Sequence, residues 1–342
     1  MLFSLMKEIY VVIRKPVAFQ AITNLVASDG VIPLKSLPIR MYQISNKFRD
    51  EMRTKSGLIR SKEFIMKDLY TFDVDVEHAK KTYESVREAY KKIFDTLQIP
   101  YVSVLGDTGS IGGSLSHEYH FLSEIGQDDL LICQNCERGF NVEVRASSED
   151  YKCSKCDGLQ YTEKKKGVEV GHTFLLGDKY SKIFKAKYMP KKGKAQNLQM
   201  GCFGLGVSRI MASSLEILST EENRLRWPIE ITPFKVMIIA PKDGSKESVA
   251  MDQVFQLYDQ LNNSNMFFND VIIDDRPGIT VGKKLRDAKK TGYPWVILFG
   301  KDCIHPTNPV VELHDYEDSI SVAVNQILYH FESINRHSYS YI

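Results

Sequence analysis

The sequence predicts two successive folding units: an α+β core, made of an antiparallel sheet with flanking helices, and then a smaller α/β domain with a mixed sheet. Three patterns predict this. A long β-hairpin is legible from Ile39 to Phe72. A glycine-spaced strand, Gly201 to Gly206, feeds a helix. Beyond Pro233, apolar strands alternate with helical segments. Such alternation is the signature of α/β architecture, whereas the hairpin demands antiparallel pairing. A chain of 342 residues exceeds one ordinary domain, and its 43% apolar content suffices for full cores.

In the hairpin, Ile39 to Asp50 and Glu63 to Phe72 are rich in strand formers. Between them, Arg53 to Gly57 is a polar turn containing glycine. A helix follows, because Ala79, Tyr83, Val86, Tyr90, Ile93 and Leu97 recur at spacings of three and four. Asp73 or Asp75 can cap its start, and Pro100 lies past its end. Tyr101 to Leu105 is a strand, and Thr108 to Gly113 a turn-rich loop. The chain turns basic through Lys164 to Lys166 and again through Lys191 to Lys194. The helix after Gly206 runs from about Val207 to Leu218. Trp227, Pro228 and Pro233 mark a boundary, giving units 1–230 and 231–342. The second unit should contain strands at Phe234 to Ala240, Val271 to Asp275, Trp295 to Phe299 and Val310 to Leu313. Its helices should lie at Val249 to Leu261, Val281 to Lys290 and Ile320 to Ile334.

Lysine and arginine total 45 against 43 acids, a net charge of +2. That balance neither demands nor excludes a nucleic-acid partner, since a local patch decides. No apolar run approaches the roughly 20 residues of a membrane span. Met1 to Gln20 carries Lys7, Arg14 and Lys15 against Glu8, which fits a basic leader and fits an ordinary first helix or strand equally.

Several residues could do chemistry. Alternate side chains of an antiparallel pair share a face, so Arg49, Glu51, Arg60 and Phe64 could converge. A guanidinium grips phosphate through paired hydrogen bonds, and a phenyl ring offers a base a stacking surface. Such a set would hold ATP without a Gly-rich phosphate loop. The same spacing also fits a charged hairpin with solvated ion pairs. Gly204 and Gly206 leave room for a nucleotide against the backbone, and Arg209 sits in the next helix's first turn. Cys133 and Cys136 are separated from Cys153 and Cys156 by 16 residues, the spacing of a four-thiolate zinc ribbon. Four thiolates leave no open position, so the ion would be structural; a ribbon folding without metal is the other reading.

Taken together, the segments at Tyr42 to Glu51, Lys62 to Phe72, Asp107 to Gly113, Ser116 to Glu118, Val168 to Phe174 and Gly201 to Arg209 resemble class II aminoacyl-tRNA synthetases. The hairpin and the Gly201 to Arg209 segment look like that class's motifs 2 and 3. The finer resemblance is to prolyl-tRNA synthetases of the bacterial and mitochondrial type, over about Ala21 to Lys301. It implies a class II catalytic core followed by an anticodon-binding domain, to which Asp274 to Arg276, Gly282 to Ala288 and Gly292 to Pro294 are similar.

The resemblance implies ligation of proline to tRNA(Pro) with ATP and Mg²⁺, in the mitochondrial matrix. Arg49 would hold the α-phosphate, Glu51 would read adenine, and Phe64 would stack beneath it. Arg60 and Arg209 would clamp the outer phosphates. Glu169, His172 and Cys202 would line the proline pocket. Lys283, Lys284 and Arg286, with Lys289 and Lys290, would meet tRNA phosphates, though a solvated helix face has the same pattern. The short cysteine insert stands where bacterial relatives carry an editing domain, so no in-chain editing is expected.

The pattern breaks at the start. Val17 and Phe19 stand where the family has a Thr-x-Glu loop holding the proline imino group. Met1 to Gln20 does not resemble the family at all, and motif 1, through which the family form makes its homodimer, is not found there. The chain is therefore expected to be an N-terminally incomplete ligase. The competing expectations are a non-catalytic tRNA-binding or polymerase-accessory relative, and a class II synthetase of other amino-acid specificity.

Overall fold

A computed structural model of the chain describes residues 17–52, 54–133, 139–142, 156, 163–220, 222 and 224–338. The chain divides into two compact units, Met1–Ser213 and Ser214–Ile342. Cys136, Cys153 and the first sixteen residues lie outside the described set.

The first unit begins with helix α1 (Val17–Ser28) and strand β1 (Val31–Pro33). The expected hairpin is present as β2 (Ile39–Phe48) and β3 (Glu63–Asp73), paired antiparallel over ten residue pairs. Helix α2 (Val76–Leu97) starts where Asp75 accepts a hydrogen bond from the His78 amide at 2.8 Å. That cap satisfies one of the orphan amides of the first turn. The strands β4 (Tyr101–Leu105), β5 (Leu115–Leu122), β6 (Asp128–Ile132), β7 (Gly139–Asn141) and β8 (Glu163–Gly177) follow. Then come α3 (Lys179–Phe184), β9 (Lys187–Met189), β10 (Gln196–Asn197) and β11 (Gln199–Gly206), and α4 (Val207–Leu218) runs across the boundary at Ser213.

Eight strands form one sheet in the order β2-β3-β11-β8-β5-β4-β7-β6, and β1, β9 and β10 form a small second sheet. Helix α2 covers one face of the large sheet with Tyr83, Tyr90 and Phe94, which meet Phe203, Tyr119 and Phe121. Phe94 is fully buried, whereas Ile93 of the expected apolar stripe is 42% exposed. Both follow Tyr90 at helical spacing, and the aromatic sheet face selects Phe94. The opposite face of the sheet stays open around β3, β11 and β8, and the candidate site forms there.

In the second unit, β12 (Val236–Ile239), α5 (Met251–Asn262), β13 (Val271–Asp274), α6 (Val281–Thr291) and β14 (Trp295–Leu298) alternate as expected. The sheet order is β13-β12-β14-β15-β16, parallel over its first three strands and antiparallel beyond, so the sheet is mixed. Strand β15 is Val310–His314. One expectation fails here. Ser319–Ala323 is strand β16, and the last helix, α7 (Ile327–Ser338), starts later than Ile320. The carboxylate of Asp315 accepts from the amides of Glu317 and Asp318, closing a turn that returns the chain along β15. Helix α5 lays Val254, Leu257 and Leu261 on Val236 and Ile238, while α6 lays Ala288 on Met237 and Ile239. Alternate residues of β12 thus serve opposite faces. No helix among the described residues is long and apolar enough to cross a membrane.

Candidate active site

The open face of the large sheet holds a cavity of about 1050 Å³. Strand register builds its floor. On β3, Phe64, Met66, Asp68 and Tyr70 alternate toward it. Their partners on β2 are Lys47, Ser45, Gln43 and Met41, and on β11 Gly206, Gly204 and Cys202 stand opposite Met66, Asp68 and Tyr70. Strand β8 then sets His172 opposite Gly204 and Phe174 opposite Cys202. A Cβ added at Gly204 would meet nothing nearer than Met66 Sδ at 3.7 Å. Packing therefore does not require glycine there; its missing side chain keeps the floor low.

Seven of the expected residues line this cavity: Arg49, Phe64, Glu169, His172, Gly204, Gly206 and Arg209. The Arg49 guanidinium lies over the Phe64 ring, 4.9 Å from its centroid. Arg209 donates from Nε to the Ile59 carbonyl at 2.8 Å and from a terminal nitrogen to the Glu169 carbonyl at 2.7 Å. It thereby ties the turn after the first hairpin strand to β8. Its guanidinium also lies 3.7 Å from a Glu169 carboxylate oxygen.

Glu169 and His172 form a short array with Ser116. His172 Nδ1 lies 2.9 Å from Glu169 Oε1, and Nε2 lies 2.5 Å from Ser116 Oγ. The imidazole stacks on Phe174 with centroids 4.0 Å apart. Burial pushes the Glu169 carboxyl up, but the His172 hydrogen bond and charge and the Arg209 charge outweigh it, holding the group down at about 2. The site thus keeps an ionised carboxylate beside the Arg209 guanidinium.

Three expected residues are not on the cavity wall. Glu51 and Arg60 pair with each other, Arg60 Nε to Glu51 Oε2 at 2.9 Å, and Arg60 also donates to Gln127. Cys202 is buried between its cross-strand neighbours Tyr70 and Phe174, and burial pushes its thiol well up, so it stays protonated. Phe19, one of the two positions where a departure from the family pattern is expected from sequence, lines the cavity. It stacks on Tyr180 at 5.4 Å and meets Tyr70 edge-on at 6.0 Å. Side-chain placement of Val17 lies outside the described set.

Lys47, Asp68 and Tyr70 also belong to the wall, beyond the residues expected from sequence. Lys47 Nζ pairs with Asp68 Oδ2 at 2.7 Å, and Gln43 donates to the same oxygen at 3.3 Å. The sequence does carry a signal for two of them: Asp68 and Tyr70 continue the period of two that begins at Phe64.

In the second unit, Lys283 and Arg286 are exposed on α6, with Lys283 paired to Asp287 at 3.0 Å. Lys284 corrects an expectation. It is fully buried, and its ammonium donates to the carbonyls of Ala240 and Asp274 at 2.9 and 3.0 Å. It cross-ties the ends of β12 and β13 and does not face a partner. Among the described residues, no group of three or more histidine, cysteine or acidic side chains is placed to hold a metal. Cys133 Sγ and Cys156 Sγ lie 3.9 Å apart.

Known proteins share both units. The class II tRNA synthetase core domain (G, H, P, S and T) matches residues 7–218, starting upstream of the expected Ala21, and the anticodon binding domain matches residues 235–330. The probable mitochondrial proline--tRNA ligase of Homo sapiens is 45% identical over 287 residues, covering 84% of this chain and 60% of that protein. The probable mitochondrial proline--tRNA ligase of Schizosaccharomyces pombe is 42% identical, covering 78% and 61%. The proline--tRNA ligase of Sulfurimonas denitrificans is 33% identical, covering 91% and 73%. The crystal structure of prolyl-tRNA synthetase from Cryptosporidium parvum, complexed with L-proline and AMP, superposes with a TM-score of 0.70 at 15% identity. It covers 93% of this chain and 57% of its own, and supports the fold. The chain spans 60% of the length of its mammalian mitochondrial relatives.

Proposed function

The chain belongs to the class II aminoacyl-tRNA synthetases, among the proline--tRNA ligases, and from that premise we propose that it activates proline with ATP and transfers it to tRNA(Pro). The observation that carries this reading is the convergence of Arg49, Phe64, Glu169 and Arg209 on one cavity with a glycine-lowered floor.

In the first step a proline carboxylate oxygen attacks the α-phosphorus of ATP. The bond to the bridging oxygen breaks and pyrophosphate leaves, giving prolyl-adenylate. Negative charge builds on the phosphoryl oxygens, and guanidiniums already fixed in place stabilise it without reorganising. Arg209 is fixed by its two backbone acceptors and Arg49 by the Phe64 ring. In the second step a terminal ribose hydroxyl of tRNA attacks the prolyl carbonyl, and AMP leaves.

Mg²⁺ takes hard oxygen donors, and the ionised Glu169 carboxylate on the cavity wall is such a donor. When bound, the ion would neutralise charge on the phosphates. A structural Zn²⁺ is supported at the cysteine insert. Two thiolates on one tetrahedral zinc, with bonds of about 2.3 Å, stand about 3.8 Å apart, close to the Cys133–Cys156 separation. The exposed Lys283 and Arg286 are the α6 side chains proposed to meet tRNA phosphates. A mitochondrial location is supported by the human, rat and mouse relatives.

Amino-acid-dependent ATP–pyrophosphate exchange tests the reading. Exchange with proline above threonine, glycine and alanine is expected. Exchange led by another amino acid would assign a different specificity. Binding of tRNA with no exchange for any amino acid would replace the ligase by a non-catalytic relative.

A further inference from the structure

No acidic residue lies between Asp178 and Glu216, a stretch that carries seven lysines. Five of them, Lys182, Lys185, Lys191, Lys192 and Lys194, are exposed, and none has an ion-pair partner among the described residues. The last three occupy the tip joining β9 to β10. Unpaired like charges repel, so a cluster of this kind costs stability unless an anion uses it.

The tip stands on a stiff base. Tyr188 and Gln196 are cross-strand neighbours, and the Tyr188 hydroxyl donates to Gln196 Oε1 at 2.9 Å. The Leu198 amide bonds the Ala186 carbonyl at 3.1 Å, and Ser181 Oγ bonds the Leu198 carbonyl at 2.5 Å. Asn197 donates to Asp178 at 3.2 Å, and β1 runs alongside β9. The hairpin and α3 therefore form one block.

That block also holds the cavity rim. Lys179 Nζ and the Tyr180 hydroxyl both donate to the Ile111 carbonyl, at 2.9 and 2.7 Å. Ile111 belongs to the 107–111 loop that lines the cavity.

We propose that the β9–β10 hairpin and α3 form a docking platform for the phosphate backbone of RNA, seating the strand whose end enters the cavity. Lysine suits such a surface, because it is a mobile point charge that grips phosphodiesters without selecting a base. A platform bonded to the rim loop would hold the RNA end in register with the reacting atoms. This inference rests on the tRNA-ligase reading for its choice of RNA, and concerns a surface distinct from α6.

The test uses the full chain with Lys191→Glu, Lys192→Glu and Lys194→Glu combined. A control carries Lys81→Glu, Lys91→Glu and Lys92→Glu on the exposed side of α2, for the same change in net charge. Filter binding is measured with a tRNA(Pro) transcript and with a transcript lacking the anticodon arm, which removes the second unit's contribution. Each lost phosphate contact should flatten the salt dependence by about 0.9, so the hairpin variant should lose about two to three units of slope and about tenfold or more in affinity. The α2 variant should bind both transcripts like the parent. Proline-dependent exchange, which needs no RNA, should stay within about twofold of the parent in the hairpin variant, which also reports that it is folded. Unchanged RNA affinity and slope in the hairpin variant would overturn the platform, as would an equal loss in the α2 variant. Loss of binding to anionic phospholipid vesicles with RNA binding intact would overturn it in favour of a membrane surface. A parent chain with no exchange would count against the ligase reading alone, because RNA binding still decides the platform.

Discussion

The Arg49 guanidinium packs over the Phe64 ring, 4.9 Å from its centroid, on the wall of the nucleotide-sized cavity. The ring holds the guanidinium proposed to bind phosphate, and it is proposed to offer a face to a base. Stacking of a base on an aromatic side chain is worth roughly 1–3 kcal/mol, which corresponds to about 5- to 150-fold in affinity. Phe64→Ala is expected to raise KM for ATP within that range, and to lower kcat as well because Arg49 loses its support. Phe64→Tyr should retain both. Exchange kinetics at varied ATP check this; an unchanged KM in the alanine variant would remove Phe64 from the nucleotide site.

The ionised state of Glu169 has a readable consequence for stability. Its folded value of about 2 lies below its ordinary value of 4.5, because His172 and Arg209 together outweigh burial. A carboxyl depressed in the folded state contributes stability that is complete above its unfolded value and is lost as pH falls toward the folded one. The window is therefore about pH 5 to pH 2. Glu169→Gln should be less stable than the parent at pH 7, and the gap should close as pH falls through this window. Urea unfolding at pH 7, 5, 3.5 and 2.5 measures it, and a gap independent of pH would show that the charge is not what His172 and Arg209 hold.

Much of this was legible in the sequence, and the failures have physical causes. The hairpin, α2, β11 with α4, and the β–α alternation of the second unit each carry a clean period and punctuation. Glu51 and Arg60 carry suitable chemistry, but the hairpin brings them to each other and off the cavity wall. Ser319–Ala323 pairs with β15 because Asp315 closes a turn, a short-range device that a helical spacing of apolar residues masks. Lys284 illustrates the deepest limit. A lysine in a basic helix looks solvated, and only the packing of α6 on the sheet shows that its amine is consumed by backbone carbonyls.

Lys284 should accordingly matter for stability and not for RNA. Lys284→Met keeps the buried stem but leaves the Ala240 carbonyl without a donor, while the Asp274 carbonyl keeps the Ala240 amide at 3.2 Å. A buried unsatisfied acceptor costs roughly 1–3 kcal/mol, so the variant should lose about that much stability. Its RNA affinity at a temperature where it is folded should match the parent, whereas Lys283→Glu with Arg286→Glu should weaken binding without unfolding. Denaturant titration and filter binding separate the two; a weakened salt slope in Lys284→Met would return this residue to the surface.

Phe19 is held by Tyr180 and Tyr70 and is only 7% exposed, yet its ring forms part of the cavity wall. Removing it should act twice. Phe→Ala at a packed site costs about 3–5 kcal/mol, since the neighbours collapse only partly into the void. At roughly 2–4 °C per kcal/mol for a unit of this size, the melting temperature should fall by about 6–20 °C. The enlarged wall should also loosen the fit for a small amino acid, raising KM for proline in exchange assays with little effect on KM for ATP. Phe19→Leu should recover most of the stability and part of the KM. Equal shifts in both KM values would mean that the ring supports the cavity as a whole. A shift confined to the amino acid would place Phe19 at the proline end, opposite Arg49 and Phe64.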